Sequence, residues 1–193
     1  MSARNDHFLG VQELTDLGVT CTGRNIKVHE SVVLIDAERL TIAEDVRIDP
    51  FCVISAAGEI RLGRHIHIGA HVSLIGGGGI LIDDFAGVSH GAKLLSTSDD
   101  LSGGALTGPT VSEELRAVDK RPIHIGRHAV IGAGSVILPG VTLGDGAVVG
   151  ALSLVRDDVA PWTIWAGIPA RHVGNRGRAV LELERQVQRA ANP

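Results

Sequence analysis

The sequence predicts an all-β solenoid, a parallel β-helix closed by short terminal helices and broken by one long excursion loop. Three observations predict it. A hydrophobic residue recurs every sixth position at Ile125, Ile131, Ile137, Leu143, Val149 and Val155. Four residues after each stands another that can point inward: Ala129, Ser135, Val141, Ala147, Ser153 and Val159. The second position of four hexads is Gly126, Gly132, Gly144 or Gly150, which suits a tight corner because glycine has no Cβ to clash. A helix repeats every ~3.6 residues and a strand every ~2, so neither fits a period of six. One short strand and one corner per hexad, three hexads per coil, does.

The elements follow in chain order. Residues 1–24 form an N-terminal helical cap: Phe8, Val11, Leu14 and Leu17 fall at roughly helical spacing within Asp6 to Leu17, with Asn5 or Asp6 as N-cap. The solenoid covers residues 25–160. Its inward positions run Val28, Leu34, Ile42, Ile48, Ile54, Leu62, Ile68, Leu74, Ile82, Val88 and Leu94, with Val46, Cys52, Ile66, Val72, Ala86 and Ala92 as partners. The spacing cycles through eight, six and six, so each lower coil closes in twenty residues and Leu34, Ile54, Leu74 and Leu94 stack on one edge. The two extra residues make bulges there, at Asp36 to Glu38, Ser55 to Glu59 and Gly76 to Gly79. From that edge the chain departs on an excursion over residues 95–123, and Ile125 resumes the register. Residues 161–193 hold a closing motif and a C-terminal helix from Arg178 to Ala191, marked by Val180, Leu181, Leu183 and Val187. Solenoids need such caps.

Composition narrows the function classes. A net charge of −4 and 3% aromatics argue against general nucleic-acid binding, which needs a basic face. No segment approaches the roughly 18 apolar residues of a membrane span, and Met1 to His7 lacks a signal-peptide core, so a cytoplasmic protein is expected. Cys21 and Cys52 are too few for a disulfide framework or a thiolate metal site.

The hexads Ile125 to Ala160, the break after Leu94 and the closing Trp165-Ala166-Gly167-Ile168-Pro169-Ala170-Arg171 resemble the left-handed β-helix acyltransferases. Within them the chain is most similar to acetyltransferases of bacterial surface-polysaccharide clusters, relatives of the galactoside and maltose enzymes. The resemblance implies a homotrimer that uses acetyl-CoA, with a site in each cleft between subunits, and an acceptor hydroxyl or amine on a saccharide or nucleotide-linked sugar. In the galactoside and maltose enzymes a histidine at the start of the excursion is the general base. Aligning Ala92 to Ser98 on that strand puts Asp99 at its position. A carboxylate can take a proton, best when burial raises its pKa, and Asp100 beside it would add like-charge repulsion. The alternative is that Ser98-Asp99-Asp100 only caps a turn.

His90 is the rival base, since imidazole suits proton transfer near neutral pH; it lies at a corner about one rung above Ala70-His71. Asp100, His71, Gly77 and Gly78 are the expected acceptor contacts. Four glycines in succession imply a close approach or positive φ, and the bulge should lie beneath the root of the excursion, making room for the acceptor or for a neighbouring subunit's excursion. Pantetheine is expected along the stacked corners Gly132-Ala133 and Gly150-Ala151, with Pro169 and Arg171 of the closing motif, then Arg176 and Arg178, toward the phosphates.

His67 and His71, and His124 and His128, are four apart. They raise a second class, a zinc hydratase like the γ-class carbonic anhydrases of this fold. Against it, His65 and His128 belong to a different edge from His71 and His90. That edge reads as a solvent-exposed charge ladder of Glu44-Asp45, Arg64-His65, Asp84, Arg127-His128 and Asp145, and no metal is expected. A non-catalytic trimeric scaffold is the third class.

Overall fold

The computed structural model describes residues 7–191. The chain winds into a triangular column with three parallel faces, running in each coil from the third face to the first and then the second. Seven parallel strands make the first face, from Lys27–His29 through Ile66–Ile68 and Gly87–Val88 to Thr163–Gly167. Six make the second, among them Val53–Ser55, Ser73–Ile75 and Lys93–Leu95, and six the third, among them Ile60–Leu62, Ile80–Ile82 and Ile123–Ile125. The register is the expected one: Leu34 pairs with Ile54, Ile54 with Leu74 and Leu74 with Leu94. Across the excursion Leu94 pairs with Ile137 and Ile82 with Ile125. The inward isoleucines, leucines and valines are buried in one apolar column, except Leu34, which packs against it partly buried. Two inward hydroxyls, Ser135 and Ser153, both donate to the Gly150 carbonyl, at 2.8 and 2.7 Å, so neither is a buried orphan.

Close approach between coils explains the glycine at the second hexad position. A Cβ on Gly132 would lie 2.5 Å from the Ala151 nitrogen, and one on Gly126 2.8 Å from the Asp145 nitrogen, with φ negative at both. The left-handed corner residues stand two positions later. Along the corner between the third and first faces they include Asn25 and Asp45 and the aromatic residues His65, Phe85, His128 and Trp162, all with φ between 55 and 61°. Their rings stack, His65 on Phe85 at 4.5 Å and Phe85 on His128 at 5.1 Å. The charge ladder lies on this edge, with Arg64 2.8 Å from Asp84. It is not wholly exposed: His128 is buried beneath the C-terminal helix and meets Glu184 at 2.7 Å.

That helix, α2, spans Val180–Ala191 as expected. The N-terminal one, α1, is shorter than expected, Val11–Asp16. Phe8–Leu9 pairs antiparallel with Lys27–His29 instead, covering an otherwise open sheet end. The cap of α1 is Gly10, whose N–H donates to Glu13 Oε2 at 2.9 Å; Asn5 and Asp6 lie outside the described residues. Buried Leu14 seats α1 on the column. The excursion is an arm: Thr97–Asp99 pairs antiparallel with Val118–Lys120 before the chain rejoins the third face at Ile123.

Candidate active site

The glycine bulge roots the arm. Gly78 N–H donates to Ser96 Oγ at 2.9 Å, Ser96 Oγ donates to the Ile75 carbonyl at 3.0 Å, and Arg121 N–H donates to the Ser96 carbonyl at 3.1 Å. A Cβ on Gly78 would overlap the Ser96 carbonyl oxygen, and one on Gly77 would lie 2.5 Å from Thr97 Cγ2. The bulge thus lies beneath the root of the excursion, as expected, but the room it makes is filled by the chain's own arm. Only Gly79 has positive φ, 92°. Between the second face and the arm is a cavity of about 840 Å³ whose lining includes Ala57, Ile75, Gly77, Thr97, Arg116 and Lys120.

Asp99 stands at the root of the arm beside this cavity. Its Oδ2 accepts from Gly108 N–H at 3.1 Å and its Oδ1 is 3.5 Å from Arg116 Nη2. Asp100 does something else. Its carboxylate accepts from Ser102 N–H and Oγ, both at 2.9 Å, and from Gly104 N–H at 3.1 Å. These bonds, the Ser102 backbone one foremost, hold its pKa below the usual carboxylate value. The turn-cap reading therefore describes Asp100, not the like-charge partnership expected for it.

His90 lies one rung above Ala70, as expected, and its Nδ1 accepts from Ala70 N–H at 2.9 Å. The ring's lone pair is thereby engaged, leaving Nε2–H as a donor. His90 and Ser89 line a crevice of about 140 Å³ with His67 and Gly87. Asp99 sits beyond the other end of the strand Lys93–Leu95, so one chain does not unite the two candidate bases. His71 is exposed and stacks on Phe51 at 5.2 Å. Among the other histidines, His67 pairs with Asp49 and His124 with Asp83, each at 2.7 Å. Burial works against the Asp49 carboxylate, yet hydrogen bonds from Arg47 and His67 prevail and lower its pKa. Among the described residues no three histidines, cysteines or carboxylates converge as a metal-holding group.

Gly132-Ala133 and Gly150-Ala151 do stack. Leu152 N–H donates to the Ala133 carbonyl at 2.8 Å, while the N–H groups of Ala133 and Ala151 find no partner among the described residues. The closing motif is a hairpin, Thr163–Gly167 against Ala170–Asn175, with Pro169 after a cis bond in its turn. Arg171 Nη1 is 3.9 Å from Asp157. Arg176 and Arg178 belong to another corner: Arg176 donates to the His128 carbonyl at 2.6 Å and Arg178 lies over Trp162. Nothing in the sequence pattern marks Arg116 and Ser89, which line the cavity under the arm and the crevice at His90. The first lies in an arm with no repeat register, and the second at an ordinary corner position.

The fold alone leaves the reaction open, and comparison with known proteins supplies it. Residues 122–157 match the family described as bacterial transferase hexapeptide (six repeats). The chain is 36% identical, over 92% of its length and 93% of the relative's, to a dTDP-4-amino-4,6-dideoxy-D-glucose acyltransferase of Escherichia coli. It is 31% identical to the galactoside O-acetyltransferase of E. coli K12, over 75% of this chain and 68% of that one. Among solved structures it resembles AntD, an N-acyltransferase of Bacillus cereus, in complex with dTDP and 3-hydroxybutyryl-CoA: TM-score 0.92, 33% identity, 98% of this chain and all of that one. A serine-to-cysteine variant of AntD, with dTDP-4-amino-4,6-dideoxyglucose and coenzyme A, matches equally well, at TM-score 0.92. The chain belongs to the hexapeptide-repeat transferases, left-handed β-helix enzymes, and it is an acyltransferase. The expectation of a sugar acyltransferase is borne out at that level.

Proposed function

We propose that this protein transfers an acyl group, acetyl in the simplest case, from acyl-CoA to the amino group of a dTDP-linked 4-amino-4,6-dideoxyhexose. It does so as a cytoplasmic homotrimer with a site in each cleft between subunits. The observation that carries this reading is the carboxylate of Asp99 at the root of the arm, at the position where the resemblance to the galactoside and maltose enzymes implies a histidine. A sugar hydroxyl must be deprotonated to attack a thioester; a neutral amine need not be, and a carboxylate that orients it suffices. AntD, an N-acyltransferase, has been crystallised with substitutions at a serine and an aspartate ten positions apart, the separation of Ser89 and Asp99 here; this supports the assignment.

In the proposed reaction the amine nitrogen attacks the thioester carbonyl carbon and the C–N bond forms. A backbone N–H steadies the oxyanion. The C–S bond then breaks, and the amine proton passes by way of Asp99 to the departing thiolate. His90, donating through Nε2–H, is a contact for acceptor or thioester oxygen. Pantetheine lies along the Ala133 and Ala151 N–H groups, with Pro169 and Arg171 at its far end.

The test is thiol release from acetyl-CoA with dTDP-4-amino-4,6-dideoxyglucose, set against a galactoside and maltose. The amine is expected to give the highest kcat/KM. A clear preference for either hydroxyl sugar would overturn the reading, and sedimentation giving a concentration-independent monomer would remove the inter-subunit site.

A further inference from the structure

The arm holds a charge arrangement that the fold does not require. Arg116 and Asp99 face each other at 3.5 Å through one guanidinium nitrogen, with side chains only 19% and 29% exposed. A relaxed arginine–carboxylate pair closes to about 2.7–2.9 Å and is frequently bidentate. Here both partners keep an unmet group. Three buried side-chain polar atoms lack a hydrogen-bond partner among the described residues, and two of them are Asp99 Oδ1 and Arg116 Nε. Leaving such groups unpaired is costly, and native proteins concentrate these exceptions where something else completes them. Asp99 cannot simply swing to close the gap, because Gly108 N–H holds its other oxygen at 3.1 Å.

Arg116 also lines the 840 Å³ cavity under the arm, and Lys120 lines the same cavity. That volume lies within the roughly 300–1,000 Å³ of small-molecule sites. Its remaining walls are largely small or apolar, with Ala57, Ile75, Pro109 and Val118 among them, and Glu113 is its one carboxylate. Two cations over an apolar floor, beside a fixed carboxylate, suit a ligand that has a planar apolar end, a dianionic middle and an amine.

We infer that Arg116 and Lys120 form a diphosphate-binding site under the arm that takes the nucleotide diphosphate of the acceptor, so that the enzyme selects a nucleotide-linked sugar over the free one. This rests on the proposed amino-sugar acceptor. Coenzyme A carries the other diphosphate in the reaction. The cavity walls come from the second face at Ser55 to Gly77 and from the arm, whereas the stacked corners assigned to pantetheine lie coils further on in the same chain, at Gly132 to Ala151; the arm cations are assigned to the acceptor, and titration with coenzyme A tests the other assignment.

Calorimetric titration of the full-length protein with dTDP, thymidine and coenzyme A separates the sources. Arg116→Gln should weaken dTDP binding roughly 10–100-fold, as loss of charge-assisted hydrogen bonds does. Lys120→Gln, at an exposed residue, should weaken it severalfold. Both should leave thymidine and coenzyme A binding as in the wild type. Should Arg116→Gln fail to fold with Asp99 unpaired, Lys120→Gln carries the test. Unchanged dTDP affinity in the folded variants, a parallel loss of coenzyme A affinity, or no dTDP binding by the wild type would each overturn the inference. Because dTDP alone is the probe, a wild type that binds it through Arg116 yet does not acylate the amine would sink the proposed function and leave this site standing.

Discussion

Gly78→Ala is the perturbation that most directly probes how the arm is fixed. The new Cβ would overlap the Ser96 carbonyl oxygen and lie 2.7 and 2.9 Å from the Arg121 nitrogen and oxygen. All three atoms are backbone, and they belong to the two ends of the arm, which bond to each other through Arg121 N–H and the Ser96 carbonyl. Relief therefore requires the arm to separate from the bulge, which also strains the Gly78 N–H bond to Ser96 Oγ. Overpacking costs about 1–3 kcal/mol and a lost hydrogen bond about 0.5–1.5 kcal/mol, so roughly 2–4 kcal/mol is expected. For a chain of this size that lowers Tm by about 5–15 °C. Gly77→Ala is the internal control. Its nearest contacts all belong to the Thr97 side chain, with Cγ2 foremost and Oγ1 next at 3.4 Å, and a shift of that side chain relieves them for about 1 kcal/mol. Because Gly77 also lines the cavity under the arm, its substitution should raise the acceptor KM more than the acyl-CoA KM. Thermal melts of the two variants beside the wild type decide the matter. A Gly78→Ala protein melting with the wild type, or a Gly77→Ala protein melting lower than Gly78→Ala, would refute the idea that backbone contact at the bulge fixes the arm.

Other substitutions separate the column from the chemistry. Asp99→Asn should lower kcat/KM by roughly 10²–10⁴-fold with folding intact; activity near that of the wild type, or an equal loss in His90→Ala, would move the role elsewhere. Ile82→Ala, in a fully buried position paired with Leu62 and Ile125, should cost about 2–5 kcal/mol in denaturant unfolding. Burial opposes the Asp84 carboxylate, but hydrogen bonds and charge from Arg64 prevail and hold its pKa below the usual value, as Arg47 and His67 do for Asp49. With pKa depressed in the fold, the unfolded chain binds more protons, so stability rises with pH. This contribution is full above the ordinary Asp value of about 4 and is lost as pH falls through the folded values. Asp84→Asn should flatten that acid limb; an unchanged slope would dissociate the pair from stability.

The column was legible because it is periodic. Every inward residue from Ile42 to Val88 is buried where the twenty-residue spacing put it, since one slipped residue would turn a whole strand outward. The edges were less legible, because corner residues in left-handed conformation such as Phe85 and His128 violate local preference and are tolerated through their stacking. Helical spacing at Phe8 and Val11 overextends α1 in the sequence, because the pairing of Phe8–Leu9 with Lys27–His29 is a tertiary event with no local signature. The same holds beneath the C-terminal helix and at the site. His128 meets Glu184 across 56 residues, and Arg116 meets Asp99 from the opposite strand of the arm.

What the repeat could not encode is where the chemistry collects. A coil that must stack on its neighbours has little freedom at inward or corner positions, so a group adapted to one substrate has to come from a segment released from the register. The arm is that segment, and the glycine bulge converts it from a flexible insertion into a fixed wall, because Gly78 and Ser96 bind it through backbone as well as side chain. A fixed wall can hold Asp99 and Arg116 slightly apart at 3.5 Å, where a mobile loop would let them collapse into a closed pair and spend both charges on each other. The proposed roles of Asp99 in orienting an amine and of Arg116 in binding phosphate therefore depend on the seat of the arm at Gly77 and Gly78.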